Sequence, residues 1–161
     1  MDYLFCVLIA SVLCLSFAAY KYVKIKKYPV FNERAKEISD AIGVGATAYL
    51  KRQYKSVGIF FGIVFICLLG LSYFGMVKPL VPYVFCLGGF FSAVSGFIGM
   101  KTATMANVRT VSAAKNGLNE GLKIAFSAGS VISFVVIGIG LFGVYLWFSF
   151  IQLLVHFLQD F

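Results

Sequence analysis

Charged residues are scarce in this sequence, and acidic residues are the scarcest of them. Charged side chains make up 12% of the 161 residues, and only six are Asp or Glu. A typical soluble domain has about 25% charged residues. So low a content excludes an ordinary soluble globular domain. The few carboxylates are scattered and the one histidine is His156, so no clustered metal site is indicated.

Cysteine pairs with metal-binding or redox spacing are also missing. The four cysteines stand alone, each inside an apolar block: Cys6, Cys14, Cys67 and Cys86. Thiols in such surroundings are more often inert, small hydrophobic groups than ligands. We therefore predict no catalytic, cofactor-binding or metal-binding residue in this chain, and no cofactor of its own.

Apolar residues, in contrast, are abundant and gathered in long blocks. Hydrophobic residues make up 61% of the chain, and its mean hydropathy is +0.94. A helix of roughly 20 apolar residues crosses the ~30 Å hydrocarbon core of a bilayer. We predict an all-α polytopic membrane protein, a single membrane region over residues 1–161. Its four transmembrane helices are expected at about 3–20, 57–77, 80–100 and 124–147.

Basic residues alternate between the connections of these spans. Nine lie between spans one and two, one between spans two and three, and four between spans three and four. By the positive-inside rule, connections 1–2 and 3–4 are cytoplasmic and both termini are outside. The basic loops fit a bacterial or an organellar membrane equally well, and we expect the bacterial inner membrane. Because topology accounts for the net charge of +8, we predict no nucleic-acid partner. We favour contact of these loops with anionic lipid head groups over a specific anion site.

The connection between spans one and two predicts a cytoplasmic amphipathic helix that runs on into span two. Asn32 can cap it, with Glu33 in its first turn. Its apolar positions form one stripe expected to be buried: Ile38, Ala41, Ile42, Gly45, Ala48 and Tyr49. Glu37 and Asp40 share another face, and paired carboxylates can hold magnesium. Because basic residues surround them, we favour a solvated helix face.

Spans three and four carry two further patterns. Gly88, Ser92 and Gly96 recur at four-residue steps, which predicts close helix packing and makes span three the inner partner of the four. The fourth apolar block is too long for one crossing, and Tyr145 and Trp147 mark its outer boundary. Polar residues beyond it recur on one stripe, predicting an interfacial C-terminal helix: Ser149, Gln152, His156 and Gln159.

The strings GFIGM at 96–100 and ATMANVRT at 103–110, with EISDAIGVGATAYLKRQYK at 37–55, resemble the membrane-bound, ion-pumping pyrophosphatases. The resemblance covers about 37–146. It implies a bundle of sixteen helices, of which this chain supplies the first four, all in the outer ring, with a structural loop at 106–110. It also implies a homodimer, and a requirement for magnesium with potassium dependence left open, in the complete protein.

The family's magnesium pyrophosphate motifs lie on later helices, so the resemblance transfers no catalytic, metal or ion-gate residue to this chain. None of the four spans has an Asp, Glu, Lys, Arg or His in its centre, where ion paths are usually marked by such groups. We therefore expect the N-terminal fragment of a proton or sodium pump, inactive in isolation, whose partners are lipid and the remaining pump helices or a split partner chain. The alternative is a stand-alone four-helix membrane scaffold or a small transporter subunit.

Overall fold

The computed structural model describes the backbone of residues 2–30 and 33–159 and the side chains of residues 4–30 and 33–153. Four helices account for nearly all of this part of the chain: α1 (Asp2–Lys26), α2 (Glu33–Tyr73), α3 (Val81–Ala114) and α4 (Leu118–Gln159). Each is long and apolar enough to cross a membrane. The prediction of an all-α protein with four spans is confirmed.

The helices extend well beyond the apolar blocks. α1 continues through the basic residues to Lys26 and ends before Pro29, which cannot continue a helix. α2 has 41 residues and is about 60 Å long at ~1.5 Å per residue. The predicted amphipathic helix and span two are therefore one continuous helix, as expected, while its proposed cap, Asn32, lies outside the described residues.

A glycine ends α2. Gly75 has a φ of +72°, the left-handed conformation that costs glycine little. The Met76 N–H donates to the Leu71 carbonyl at 3.0 Å, and the Gly75 N–H donates to the Ser72 carbonyl at 3.1 Å. This pair of bonds satisfies carbonyls that the helix end leaves free. Pro82 then lies in the first turn of α3, where its missing N–H is tolerated.

The helices lie in the order α2, α3, α4, α1. α3 packs along α4 and α2 and touches α1, whereas α1 packs mainly along α4. Among the described residues, α1 and α2 share no contact. α3 is therefore the helix that meets all three others, as predicted. The core between α1, α3 and α4 is built largely from small or β-branched residues: Ala18, Ile25, Ala106, Ala128, Val131 and Val135.

The close contacts of α3 differ in part from those predicted. A Cβ at Gly88 would meet nothing within 4 Å, so Gly88 does not lie at a helix contact. A Cβ at the adjacent Gly89 would overlap the ring of Phe61 on α2. Gly96 does face α2, since its Cβ would lie 3.4 Å from the Tyr54 hydroxyl. Gly88, Ser92 and Gly96 are all exposed, so of the predicted row only Gly96 lies close to another helix.

The predicted buried stripe on α2 is wrong for this chain. Ile38, Ile42 and Tyr49 are 56%, 48% and 58% exposed, and no described residue of α2 is buried. The reason is that α2 packs against α3 alone. Its half-buried residues follow a different stripe: Ala35, Ser39, Gly43, Ala46, Leu50 and Tyr54.

α4 is unbroken from Leu118 to Gln159. The predicted interfacial helix is therefore a continuation of α4 and not a separate element. The 42 residues of α4 extend about 63 Å at ~1.5 Å per residue. The helix passes Trp147 without a turn because no Pro or Gly follows there. Where residues 148–159 lie relative to the membrane surface stays a prediction.

Candidate functional site: a basic cleft at one end of the bundle

Side-chain hydrogen bonds tie the first and third connections together at one end of the bundle, here named the basic end. The Tyr28 hydroxyl donates to a Glu120 carboxylate oxygen at 3.0 Å. The Asn116 amide donates to the same Tyr28 oxygen at 3.4 Å. Tyr28 follows α1, whereas Asn116 lies in the turn between α3 and α4 and Glu120 in the first turn of α4. The two basic connections therefore lie side by side.

Arg109 on α3 forms a second link at this end, to the end of α1. Its Nη2 donates to the Lys26 carbonyl at 3.2 Å, and its Nη1 donates to the Met105 carbonyl at 2.8 Å. Lys26 ends α1, where helix carbonyls lack partners and the dipole favours a cation. The Nε of Arg109 is buried and has no hydrogen-bond partner among the described residues. The resemblance placed 106–110 in a loop, but the segment lies inside α3, so that expectation is wrong.

Tyr28 has a perturbed hydroxyl. Desolvation and the hydrogen bond to Glu120 raise the pKa of Tyr28 from its ordinary 10.0, and the negative charge of Glu120 adds to the rise. The hydrogen bond from Asn116 acts in the opposite direction. The phenol therefore stays protonated over the whole physiological range, as its role as donor to Glu120 requires.

An open cleft of about 1180 Å³ lies at the basic end, between the end of α1, the first half of α2 and the second half of α3. Five basic residues line it, against the single carboxylate of Asp40: Lys26, Lys36, Lys51, Lys101 and Arg109. Hydroxyl groups of Tyr22, Ser39, Thr47 and Thr104 share the wall. The Thr47 and Thr104 hydroxyls donate to carbonyls of their own helices, so it is the excess of cations that suits the cleft to an anion with several oxygens, such as a phosphate group.

An apolar groove of about 420 Å³ adjoins the cleft between α1, α3 and α4. Tyr22 and Lys101 line both the groove and the cleft. A second apolar groove, of about 370 Å³, lies between α3 and α4 near Trp147. Only the first groove therefore has a basic group at its end.

Sequence reasoning missed this cleft because it placed the cations in two flexible connections. The signal that could have found it is helical continuity. Once α2 and α3 run past their apolar blocks, Lys36 and Lys51 on one helix and Lys101 and Arg109 on the other have fixed positions. Residues eight apart, such as 101 and 109, then share a helix face.

The residues that the structure describes do not form a magnesium site. Glu37 and Asp40 are exposed on α2, and only Asp40 lines the cleft. In the part of the chain that the structure describes, no three His, Cys, Asp or Glu side chains come together. Magnesium needs several oxygen ligands in near-octahedral geometry. Cys6, Cys67 and Cys86 are exposed on the helix surface and Cys14 is half-buried, so the thiols lie apart from the cleft.

Four long apolar helices and a basic end define a polytopic α-helical membrane protein. The family model described as inorganic H+ pyrophosphatase matches residues 12–160. The chain belongs to this family.

Relatives in the family are named as ion pumps. A putative K(+)-stimulated pyrophosphate-energized sodium pump of Bacteroides thetaiotaomicron is 45% identical over 141 residues, which cover 87% of this chain and 19% of the relative. A K(+)-insensitive pyrophosphate-energized proton pump of Methanosarcina mazei is 41% identical over 135 residues, which cover 84% of this chain and 20% of that pump. The chain thus spans about a fifth of the length of the curated relatives that it matches.

Proposed function

We propose that this chain forms the first four, outer-ring helices of a pyrophosphate-energized proton or sodium pump in a bacterial inner membrane. The observation that carries the proposal is the family match over residues 12–160, combined with the coverage of 19% of the sodium-pump relative. In this proposal the remaining helices hold magnesium and pyrophosphate and conduct the ion, and the complete pump is a homodimer.

The uncovered face of α2 supports a partner for the chain. Ile38, Ile42 and Tyr49 are about half exposed or more, yet they precede the apolar block at 57–77. An apolar stripe outside the hydrocarbon region has no lipid to cover it and is costly to leave in water. The remaining helices of the pump, or a split partner chain that carries them, would bury it.

We also propose that the basic end is cytoplasmic and that both termini are outside. Thirteen basic residues belong to the two connections at this end (nine and four), and Lys78 alone belongs to the opposite connection. The hydrogen bonds between Tyr28, Asn116 and Glu120 support this placement, since they hold both basic connections at one end. Short basic loops stay on the cytoplasmic side during insertion.

A chimaera tests the proposed function. The matched 141-residue segment of the Bacteroides thetaiotaomicron relative is replaced by the corresponding residues of this chain, and the protein is reconstituted in liposomes. We expect magnesium-dependent pyrophosphate hydrolysis and coupled ion uptake at a substantial fraction of the parent rate. A control that carries four unrelated transmembrane helices of the same topology should be inactive.

The chain alone, reconstituted in the same way, should hydrolyse no pyrophosphate, because hydrolysis needs several carboxylates converging on magnesium. Turnover above empty liposomes that is lost in Glu37→Ala or Asp40→Ala would show that the chain carries a site of its own. A chimaera that inserts and melts like the parent but hydrolyses nothing would contradict the proposal and favour a stand-alone scaffold.

A further inference from the structure

The apolar groove and the basic cleft meet at the depth where two apolar blocks end. Tyr22 follows the block at 3–20, and Lys101 follows the block at 80–100. Both line the groove and the cleft. Since the blocks mark the hydrocarbon core, the groove lies at acyl-chain depth and the cleft at the depth of lipid head groups.

The walls of the two cavities match these depths chemically. Apart from Tyr22, Lys101 and Thr102, every residue that lines the groove is apolar, including Ala19, Val23 and Phe97. Lys101 lies at the end of the groove, and the Lys101 Nζ is 6.0 Å from the centre of the Phe97 ring. From Lys101 to Arg109 the cleft follows α3 for about 12 Å at ~1.5 Å per residue, enough for a phosphate head group.

We propose that the groove and the cleft together bind one anionic phospholipid. Its phosphate lies in the cleft among Lys26, Lys51, Lys101 and Arg109, and one acyl chain lies along the groove between α1 and α3. Basic pockets between transmembrane helices bind anionic head groups in this way. Head-group contact is thus concentrated at a single site formed by three helices and is not spread over two loops.

The adjoining groove favours a lipid over a free phosphate ion. A soluble anion would use the cleft and gain nothing from the apolar walls, whereas each CH₂ of an acyl chain that the groove buries adds to the affinity. The single carboxylate, Asp40, lies on the α2 side of the cleft. The lipid phosphate would therefore lie nearer to Lys101 and Arg109 on α3.

Native mass spectrometry of the purified chain in neutral detergent tests the proposal. Phosphatidylglycerol should be retained at one copy per chain and should outcompete phosphatidylcholine of the same acyl length. Lys51→Gln and Lys101→Gln should each weaken phosphatidylglycerol binding about fivefold, on the basis of ~1 kcal/mol per cation near a membrane surface. The controls Lys78→Gln, at the opposite end, and Lys123→Gln, which does not line the cleft, should leave it unchanged.

A groove variant separates a lipid from a free anion. Ala19 is exposed and lines the groove, so Ala19→Trp should block the acyl chain without disturbing the core. Leu13→Trp, at an exposed position of α1 outside the groove, is the matched control. We expect loss of phosphatidylglycerol binding in Ala19→Trp but not in Leu13→Trp. In the lysine variants, which have Trp147 alone, its emission reports whether the bundle is intact, and helical circular dichroism reports this in the two tryptophan variants.

Two results would overturn the proposal. Equal retention of phosphatidylglycerol by the parent, Lys51→Gln and Lys101→Gln would show that the cleft does not select the head group. Thermal stabilisation by inorganic phosphate or pyrophosphate that depends on Lys101, together with unchanged lipid binding in Ala19→Trp, would assign the cleft to a soluble anion. Neither result depends on whether the chain works in a pump, because no readout uses hydrolysis.

Discussion

The hydroxyl of Ser11 on α1 donates a hydrogen bond to the Gly138 carbonyl on α4 at 2.8 Å. Ser11 is fully buried, and a Cβ at Gly138 would lie 2.8 Å from the side chain of Leu15. The glycine therefore lets the two backbones come close enough for the serine to reach across. Small residues at helix crossings make such contacts possible in a membrane, where lipid is as apolar as the core.

Gly138→Ala should destabilise the bundle by about 1–3 kcal/mol, because the added methyl group must displace Leu15. Ser11→Ala should cost about 0.6 kcal/mol, a typical value for a hydrogen bond between transmembrane helices. Unfolding by a denaturing detergent, followed by helical circular dichroism, measures both. Gly129→Ala, where a Cβ would meet nothing within 4 Å, is the control and should be neutral or slightly stabilising.

Gly89→Leu should separate α2 from α3, because any side chain at position 89 overlaps the Phe61 ring. That ring is stacked on Phe85 with centroids 4.7 Å apart, so it has little freedom to move away. Gly88→Leu should have almost no effect, since Gly88 faces open space. A disulfide between cysteines introduced in α2 and α3 reports their contact. Equal cross-linking in both variants would show that α3 uses another face.

The Tyr28 phenol should ionise above its ordinary pKa of 10.0. Because the folded value is the higher one, the contribution of the protonated phenol to stability is fully present below pH 10.0 and is lost as the pH rises through the folded pKa. The difference in tyrosinate absorbance between the parent and Tyr28→Phe isolates this group among nine tyrosines. Glu120→Gln should lower the midpoint, and an unchanged midpoint would mean that Glu120 does not act on Tyr28.

Cysteine labelling should find residues 36 and 123 on one side of the membrane and residue 76 on the other. The reason is the uneven distribution of basic residues between the connections. Position 76 suits labelling because Met76 is 75% exposed in the turn after α2. The background must lack Cys6, Cys14, Cys67 and Cys86. In right-side-out vesicles, an impermeant maleimide should modify only position 76. Modification of position 123 from outside would reverse the proposed topology.

Hydropathy was sufficient to predict four spans and the helix that continues into α2, because the length of an apolar block is visible in one sequence. It could not show which face of a helix meets protein, since a transmembrane helix is apolar on every side. For this reason the four-residue spacing on α3 favours Gly88 over its neighbour Gly89. The stripe at Ile38 and Ile42 lies before the apolar block, on an amphipathic segment, and the sequence does not show that α2 packs against α3 alone. Both points depend on the order of the helices.

The cleft was missed for a related reason. Lys51 and Arg109 belong to different connections and are 58 positions apart, so no local pattern joins them. They line one cavity because α2 and α3 both continue past the apolar blocks and pack against each other. The sequence does show that these residues are basic and lie near the membrane surface, which was enough to suggest anionic head groups.

The order of the helices has a consequence for how the chain is made. α1 is synthesised first but packs mainly along α4, and the partners Ser11 and Gly138 are 127 residues apart. At a synthesis rate of ~5–20 residues per second, Gly138 is made on the order of 6–25 s after Ser11. During that time Ser11 has no partner across a helix crossing. These four helices therefore pack together only when α4 enters the membrane, and any factor that shields a lone first helix would act in this interval.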